Sequence, residues 1–452
     1  MPFRFGVVTL KEATQAFVRV QVETERGAVA WGAAAEMLAP KWFDKNLALT
    51  NEQNEEQLRT SLRLAASLYL AQPFATAFGL FASAYRAQIG VCAARGLNAL
   101  IAGYGPAMLD RAILDALCRA YHVSFHEAVR ANVPGIEAGP LTPDLAGFDI
   151  AGFLESLSPA LTIHARHTVG LVDPITSEDL DEASRVADGL PETLEDVVKT
   201  YGHVWYKLKV GGNVAEDVAR LARIASVLDR LNGPYHVTLD GNEQYPGVGA
   251  VLELWGTMQA TAALRRLCAS IVFIEQPITR ARALAADIRP LASHRPVIID
   301  ESDADLESWP AARSCGYTGV SSKTCKGLYK SILNRARCAH WNAAAHTTQY
   351  FMSAEDLTTQ PGISVQQDLA LVSLLGLEHV ERNAHHYVNG MSGAPRMEQR
   401  AFAAAHPDLY VDVDGVVRLR ITAGRVALGS LECPGFAVAA EPAWDDMRPI
   451  AI

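Results

Sequence analysis

Lys207, Lys209, Asp240, Glu275, Asp300 and Lys323 are the residues of this 452-residue chain whose types and spacing most directly imply chemistry. Short apolar runs end in five of them: WYKLK, HVTLD, IVFIE, PVIID and GVSSK. The closing charges stand 31, 35, 25 and 23 residues apart. That period is close to one strand–helix unit of about 30 residues. An apolar strand ending in a charge, repeated at this period, predicts a parallel barrel. Its reactive groups sit where strands give way to loops.

Asp240, Glu275 and Asp300 would end three consecutive strands and converge on one point. Taken singly, each acid reads as a helix cap or a surface charge. Three in register would repel one another unless a hard cation joined them. Mg²⁺ takes oxygen ligands in an octahedron and keeps positions for water or substrate, with Mn²⁺ as a substitute. No His or Cys closes these strands, which argues against zinc there.

Lysines inside a strand covered on both faces are costly. Strands two and six lie on opposite sides of the barrel mouth, so Lys209 and Lys323 would face each other across a substrate. A nearby Mg²⁺ and mutual repulsion predict a lowered lysine pKa, giving a base near neutral pH. Lys207 either pairs with a carboxylate or supports the charge of Lys209. Cys325 reads as a packed small residue rather than a nucleophile. Lys326 and Lys330 read as solvated residues of the next helix, and His164 and His167 as core or mouth-lining.

These side chains need a scaffold. Apolar residues make up 49% of the chain and charged residues 20%, enough for a sizeable core and too apolar for disorder. A net charge of −10 argues against nucleic acid as a partner. The seven cysteines include no CxxC pair and read as reduced thiols. No stretch has signal-peptide or membrane-span character, so a cytoplasmic protein is expected, with no membrane partner.

The expected fold is α/β: a modified TIM (β/α)7-8 barrel with an α+β capping domain formed by the N-terminal region and the C-terminal tail. Residues 1–155 form the N-terminal cap. It opens with a strand over 16–22, a turn at Glu25-Arg26-Gly27 and a returning strand over 28–35, followed by helices. Residues 156–400 form the barrel. Its strands are expected at 161–169, 204–210, four runs ending at Asp240, Glu275, Asp300 and Lys323, then 350–358 and 379–382. Pro191 is placed in the first turn of one helix, and Asn213 with Glu216 caps another. Residues 401–452 carry a hairpin over 410–421 and a further strand over 424–431, and pack back on the cap.

KLK, LDGNEQ, FIEQP, IIDES and SSKTCKG, in this order, resemble the enolase superfamily, and within it the muconate-lactonizing-enzyme-like subgroup (the mandelate racemase/muconate lactonizing enzyme family). The resemblance covers barrel and cap. It implies that Asp240, Glu275 and Asp300 bind Mg²⁺, that Lys209 and Lys323 form an acid/base pair, and that Lys207 tunes Lys209. It also implies that Asn242 and Glu301 support the metal ligands. The implied reaction removes the proton α to a carboxylate, giving a metal-stabilised enediolate. Racemase or epimerase, cycloisomerase and dehydratase outcomes all remain open. A lysine Schiff-base aldolase using Lys323, or a barrel that only binds an acid, are the alternatives.

The chain is longer than that subgroup leads one to expect. Its strand-end sequences 353–356 and 383–387 contain no substrate motif that can be decoded. Glu355, Asp356 and His385 are the substrate-contact candidates there, and His346 a minor candidate base. The segment from Phe5 to Thr14 corresponds to the cap loop that closes over substrate in this family. The partner implied is a small-molecule carboxylate, with self-association into homo-oligomers left open.

Overall fold

The strand–helix alternation is realised as a closed barrel. A computed structural model describes residues 3–5, 8–10, 12, 14–180 and 185–450. Among these, eight parallel strands follow one another around the barrel: Thr162–Val169, Trp205–Lys209, His236–Asp240, Ile271–Glu275, Val297–Ile299, Gly319–Ser322, Phe351–Ala354 and His379–Arg382. The eighth closes on the first, with His379 beside His164 and Arg382 beside His167. The seventh strand stops at Ala354, short of the expected 358. No described helix is long and apolar enough to cross a membrane.

Strand alternation sorts the side chains. Tyr206, Leu208, Val237, Leu239 and Ile274 face outward and join one core with Leu221, Ile224, Val251 and Leu254 of the covering helices. Each such buried side chain stabilises the fold by roughly 1.5–3 kcal/mol. The helix Val214–Leu228 begins as expected: the Asn213 side chain accepts from the amides of Ala215 and Glu216. Helix Leu194–Tyr201 begins later than expected. Thr193 caps it, and Pro191 precedes it.

The inward positions form successive layers, an aromatic and apolar floor below polar ones. Near the floor Trp205 stacks on His379 and His236, with ring centroids 3.9 and 4.3 Å apart. Phe351 and Ile298 crowd the start of strand six. A Cβ on Gly319 would lie 2.4 Å from Ile298 Cγ2, so only glycine fits there. Above this layer Arg166 donates to Ser353 Oγ and to the Ala354 carbonyl, both at 3.0 Å.

The cap hairpin pairs Gln15–Glu23 with Val29–Met37 and lies against helices Asn51–Leu70, Ala77–Ala93 and Ala99–Tyr121. A buried Glu36–Arg111 pair at 3.1 Å holds the hairpin to helix Ala99–Tyr121, and a bond from Gln367 to the Ala33 carbonyl at 2.8 Å joins the cap to the barrel. Of the expected closing loop, residues 6, 7, 11 and 13 lie outside the described residues.

The tail touches both units. Tyr410–Val413 and Val416–Leu419 form the expected hairpin. Arg425–Ala427 adds an antiparallel ninth strand beside Thr162–His164, inside the strand expected over 424–431 and shorter than it. Beyond it, Phe436 stacks on Phe125 at 3.8 Å, and its amide donates to Asp115 at 2.7 Å.

His379 makes the floor acid-sensitive. Its Nδ1 lies 2.8 Å from an Arg166 nitrogen that can only donate, so Nδ1 must keep its lone pair. Burial and Arg166 hold the imidazole pKa well below its ordinary value. The unfolded chain therefore binds this proton first as pH falls through about 6.5. Stability should drop there by up to about 1.4 kcal/mol per pH unit from this group. His379→Gln keeps an acceptor for Arg166 and removes the titration. Its urea midpoint should fall less steeply than wild type between about pH 6 and 5, and parallel slopes would contradict this account.

Candidate active site

The ends of strands two to eight meet under the cap around a cavity of about 30 Å³. Its lining includes Lys207, Lys209, Asp240, Asn242, Asp300, Lys323, Asp356 and Glu381 from the barrel, and Met37, Ala39 and Trp42 from the cap. A cavity that small has room for water only.

Lys207 is the hub. Its Nζ lies 2.9 Å from Asp240 Oδ2, 2.8 Å from Glu275 Oε2, 2.8 Å from Glu355 Oε2 and 2.9 Å from Glu381 Oε2. Lys209 Nζ is 2.5 Å from Asp240 Oδ2, and Lys323 Nζ is 2.6 Å from Asp300 Oδ2. Lys323 also lies 4.4 Å from the centre of the Trp42 ring, a cation–π contact that favours its charged form. Strand register explains the convergence: Lys209 is level with Asp240, and Asp240 with Glu275.

Burial opposes the charge on Lys207, but Asp240, Glu275, Glu355 and Glu381 outweigh it and raise its pKa well above the ordinary value. Burial likewise opposes the charge on Lys323, and Asp300 reverses the effect. The expectation of a lowered pKa in the facing lysine pair is therefore corrected for Lys323. The surrounding acids dominate over repulsion between the amines. Burial works against ionising Asp240 and Asp300 as well. Lys207 and Lys209 nonetheless hold Asp240 below the usual carboxylate range, and Lys323 and Lys326 do so for Asp300. Burial and the nearby Asp240 and Glu355 push Glu275 well above that range.

Asn242 and Glu301 sit together beside this centre. The Asn242 amide donates to Asp240 Oδ1 at 2.8 Å, and its side chain to Glu301 Oε1 at 3.2 Å. Asn242 adopts a φ of 40° and Glu243 one of 69°. This left-handed turn is costly for such residues and folds the backbone back under Asp240.

Of the substrate-contact candidates, Asp356 lines the cavity but bonds to Arg382 at 3.1 Å. Glu355 lies lower in the barrel, paired with Arg166 at 2.5 Å as well as with Lys207. His385 faces away, toward His167 and His203. Cys325 is packed, and burial raises its thiol pKa well above the ordinary value. His346 ends the helix Leu328–Ala345, away from the cavity.

Lys326 and Lys330 are buried, which corrects their assignment to solvent. Lys326 donates to Ser321 Oγ at 2.6 Å and pairs with Asp303 at 3.0 Å; Lys330 pairs with Asp303 at 3.1 Å. Periodicity could not show this, because a helix that starts at a barrel mouth buries its first turn. Glu381 was missed, although HVER closes its strand in charge as the others do. Trp42 and Lys45 carry no signal in the barrel pattern. Lys45 pairs with Glu243 at 2.5 Å, and Arg280 donates to the carbonyls of Phe43 and Trp42 at 3.1 and 3.0 Å. Together they clip the cap onto the mouth.

The donor set fits a hard divalent cation in kind. Asp240, Glu275 and Asp300 offer oxygen only, and buried Asn242 Oδ1 and Glu301 Oε2 have no hydrogen-bond donor among the described residues. The three acids are not drawn within 4.8 Å of one another, a spacing that one histidine trio reaches among the described residues. Each acid is instead held to an ammonium group.

A parallel barrel with lysines on strands two and six and acids on strands three to five defines the class. Residues 189–408 match the family model described as enolase C-terminal domain-like. No curated protein matches the chain. Among solved structures, it is similar to a muconate lactonizing enzyme from Mucobacterium smegmatis complexed with muconolactone, at 19% identity over 98% of this chain and 93% of that one, TM-score 0.54. It is also similar to the L-Ala-D/L-Glu epimerase of Bacillus subtilis, at 14% identity, 97% and 95% coverage and TM-score 0.59. A racemase from Streptomyces coelicolor A3(2) with bound magnesium aligns at 14% identity, 94% and 89% coverage and TM-score 0.52. At these identities the likeness establishes the fold, cap included.

Lys207→Met tests the hub. It leaves four buried carboxylates without their shared cation, and should cost about 3–5 kcal/mol of stability at neutral pH. Without the ammonium the folded-state pKa values of these acids rise above their unfolded values. The deficit should therefore shrink as pH falls toward about 5. Urea unfolding at the two pH values checks both the size and the trend; a deficit independent of pH would contradict the hub.

Proposed function

We propose that this protein is an enzyme that removes the proton α to the carboxylate of a small organic acid, with racemase, epimerase or cycloisomerase-type chemistry. One observation carries the reading: Lys209 and Lys323, from strands two and six, line the same cavity, each bonded to a different acid. The family of the barrel and the isomerases among its structural relatives support the same class.

Asp240, Glu275 and Asp300 would hold Mg²⁺, or Mn²⁺ in its place, with Asn242 and Glu301 supporting them. The ion would neutralise the negative charge that develops on the substrate carboxylate as the α proton leaves. The protein's own groups do the rest. A neutral amine, Lys209 Nζ or Lys323 Nζ, takes the proton from one face. The opposite amine, as ammonium, either returns a proton to the other face or stays as a cation beside the developing charge. Asp300 and the Trp42 ring favour the ammonium form of Lys323, which suits it to the donor role in the resting protein. Lys207, fixed among four acids, balances charge and does not swing toward substrate. Met37, Leu357 and Trp42 line the cavity on the cap side and would shield a bound substrate from bulk solvent.

The test is a panel of carboxylic acids in D₂O with Mg²⁺, followed by NMR for α-deuteration. At least one acid should exchange. Lys209→Ala and Lys323→Ala should each lower exchange about 10²–10⁴-fold and abolish exchange on both faces at once. Chelator should remove activity, and Mg²⁺ or Mn²⁺ should restore it. Full racemisation by both variants, or activity in metal-free protein, would overturn the proposal. Borohydride trapping of a Lys323 adduct would favour Schiff-base chemistry instead.

A further inference from the structure

The first barrel strand turns Thr168 inward to Glu381 and His167 outward, away from the acid site. Outward positions of the barrel are otherwise mostly apolar, because helices cover them. Here His167 meets His203, just before strand two, and His385, just after strand eight. His167 Nδ1 lies 3.1 Å from His385 Nε2, and His203 Nε2 lies 3.2 Å from the same His385 Nε2. One nitrogen from each ring falls in a set whose members are all within 4.8 Å, and all three residues are buried.

Hydrogen bonding alone does not satisfy this arrangement. His203 Nδ1 lies 2.9 Å from the Ala165 carbonyl, so it carries the proton and Nε2 presents a lone pair to the cluster. If His385 Nε2 carries a proton, it serves His203, and His167 Nδ1 must share that one hydrogen. If it does not, two lone pairs meet at 3.2 Å. His385 Nδ1 is buried with no partner among the described residues. Protonating the rings does not relieve the conflict, since burial pushes all three pKa values down, that of His203 to about 4.

We propose that His167, His203 and His385 form a transition-metal site for Zn²⁺, separate from the acid site. Three neutral imidazoles, with two N–N distances of 3.1 and 3.2 Å and the third within 4.8 Å, suit a tetrahedral ion with Zn–N bonds of about 2.0–2.1 Å. The His203–Ala165 carbonyl bond fixes the ligating tautomer, as supporting partners do at zinc centres. Tyr201 donates to the His385 carbonyl at 3.1 Å and steadies the loop that carries this ligand. The fourth position is left to water or a small ligand. A cavity of about 210 Å³ between the barrel and the tail hairpin has His385 and Arg420 in its wall and gives access from that side.

The experiment uses the full chain, stripped with chelator, given one equivalent of Zn²⁺ in excess Mg²⁺ and passed through gel filtration. One zinc per chain should be retained, and retained equally by an Asp240→Asn/Asp300→Asn variant. His203→Gln and His385→Gln should each weaken zinc affinity by more than the 10–100-fold typical of losing only a supporting partner. X-ray absorption of the loaded wild type removes any dependence on how the variants fold: a nitrogen shell at about 2.0–2.1 Å with imidazole scattering is expected. No retained zinc, an oxygen-only shell, or zinc lost from the acid variant but kept by the histidine variants would overturn the site. None of these outcomes bears on the α-proton chemistry.

Discussion

The structure depends on a charge balance inside the barrel. Lys207 holds four carboxylates within 2.9 Å of one nitrogen. Ion pairs this deeply buried gain little net stability, because desolvating each charge offsets most of the attraction. What they give is position. Each acid is pinned by a partner that cannot leave without exposing several charges at once. Arg166 below does the same for Glu355, and Thr168 and Asn383 orient Glu381. The mouth is built on a floor that is itself a network, so its acids and amines are fixed before any ligand arrives.

The barrel was legible because two periodicities coincide. Strands repeat about every 30 residues, and alternation within a strand sets Trp205, Lys207 and Lys209 on one face. Asp240, Glu275, Asp300 and Lys323 follow from the same rule; Asp240, Asp300 and Lys323 line one cavity, and Glu275 lies beside it against Lys207. Glu381 obeys it too and was readable in HVER. The remainder was not local. Trp42 reaches Lys323 from a segment nearly 300 residues away in sequence, and nothing near Trp42 encodes that contact. Lys326 and Lys330 look like surface residues of a helix until the acids Asp300 and Asp303 are placed under its first turn. The tail strand Arg425–Ala427 was legible as a strand, but not its partner: it joins the barrel because the first strand leaves an edge beside Thr162.

The cap and the acid site are likewise one mechanical unit. Lys45, Glu243 and Arg280 tie the segment at Trp42 and Phe43 to the ends of strands three and four. With that segment seated, Trp42 closes the space above Lys323, and the cavity holds only water. Any organic acid that binds there must displace the roof before it can lie between the two lysines. Residues 37–45 therefore shape the cavity together with the strand ends, and nothing in the strand-end sequences encodes that part of its wall.

The first strand carries two chemistries back to back. Thr168 points in, toward Glu381 and the hard oxygen donors; His167 points out, toward two further imidazoles. The segment after strand eight is divided in the same way, with Glu381 inside and His385 outside. Hard cations prefer the first environment and borderline ones the second, because carboxylate oxygen and neutral imidazole differ in softness. Alternation at a spacing of one residue thus separates the two donor sets by the thickness of the sheet. A single strand-register slip would exchange their faces, placing His167 among the acids and Thr168 against the helices. Closure of the barrel, with His379 beside His164 and Arg382 beside His167, forbids that slip, and the same pairing that makes the fold therefore keeps the two sites apart.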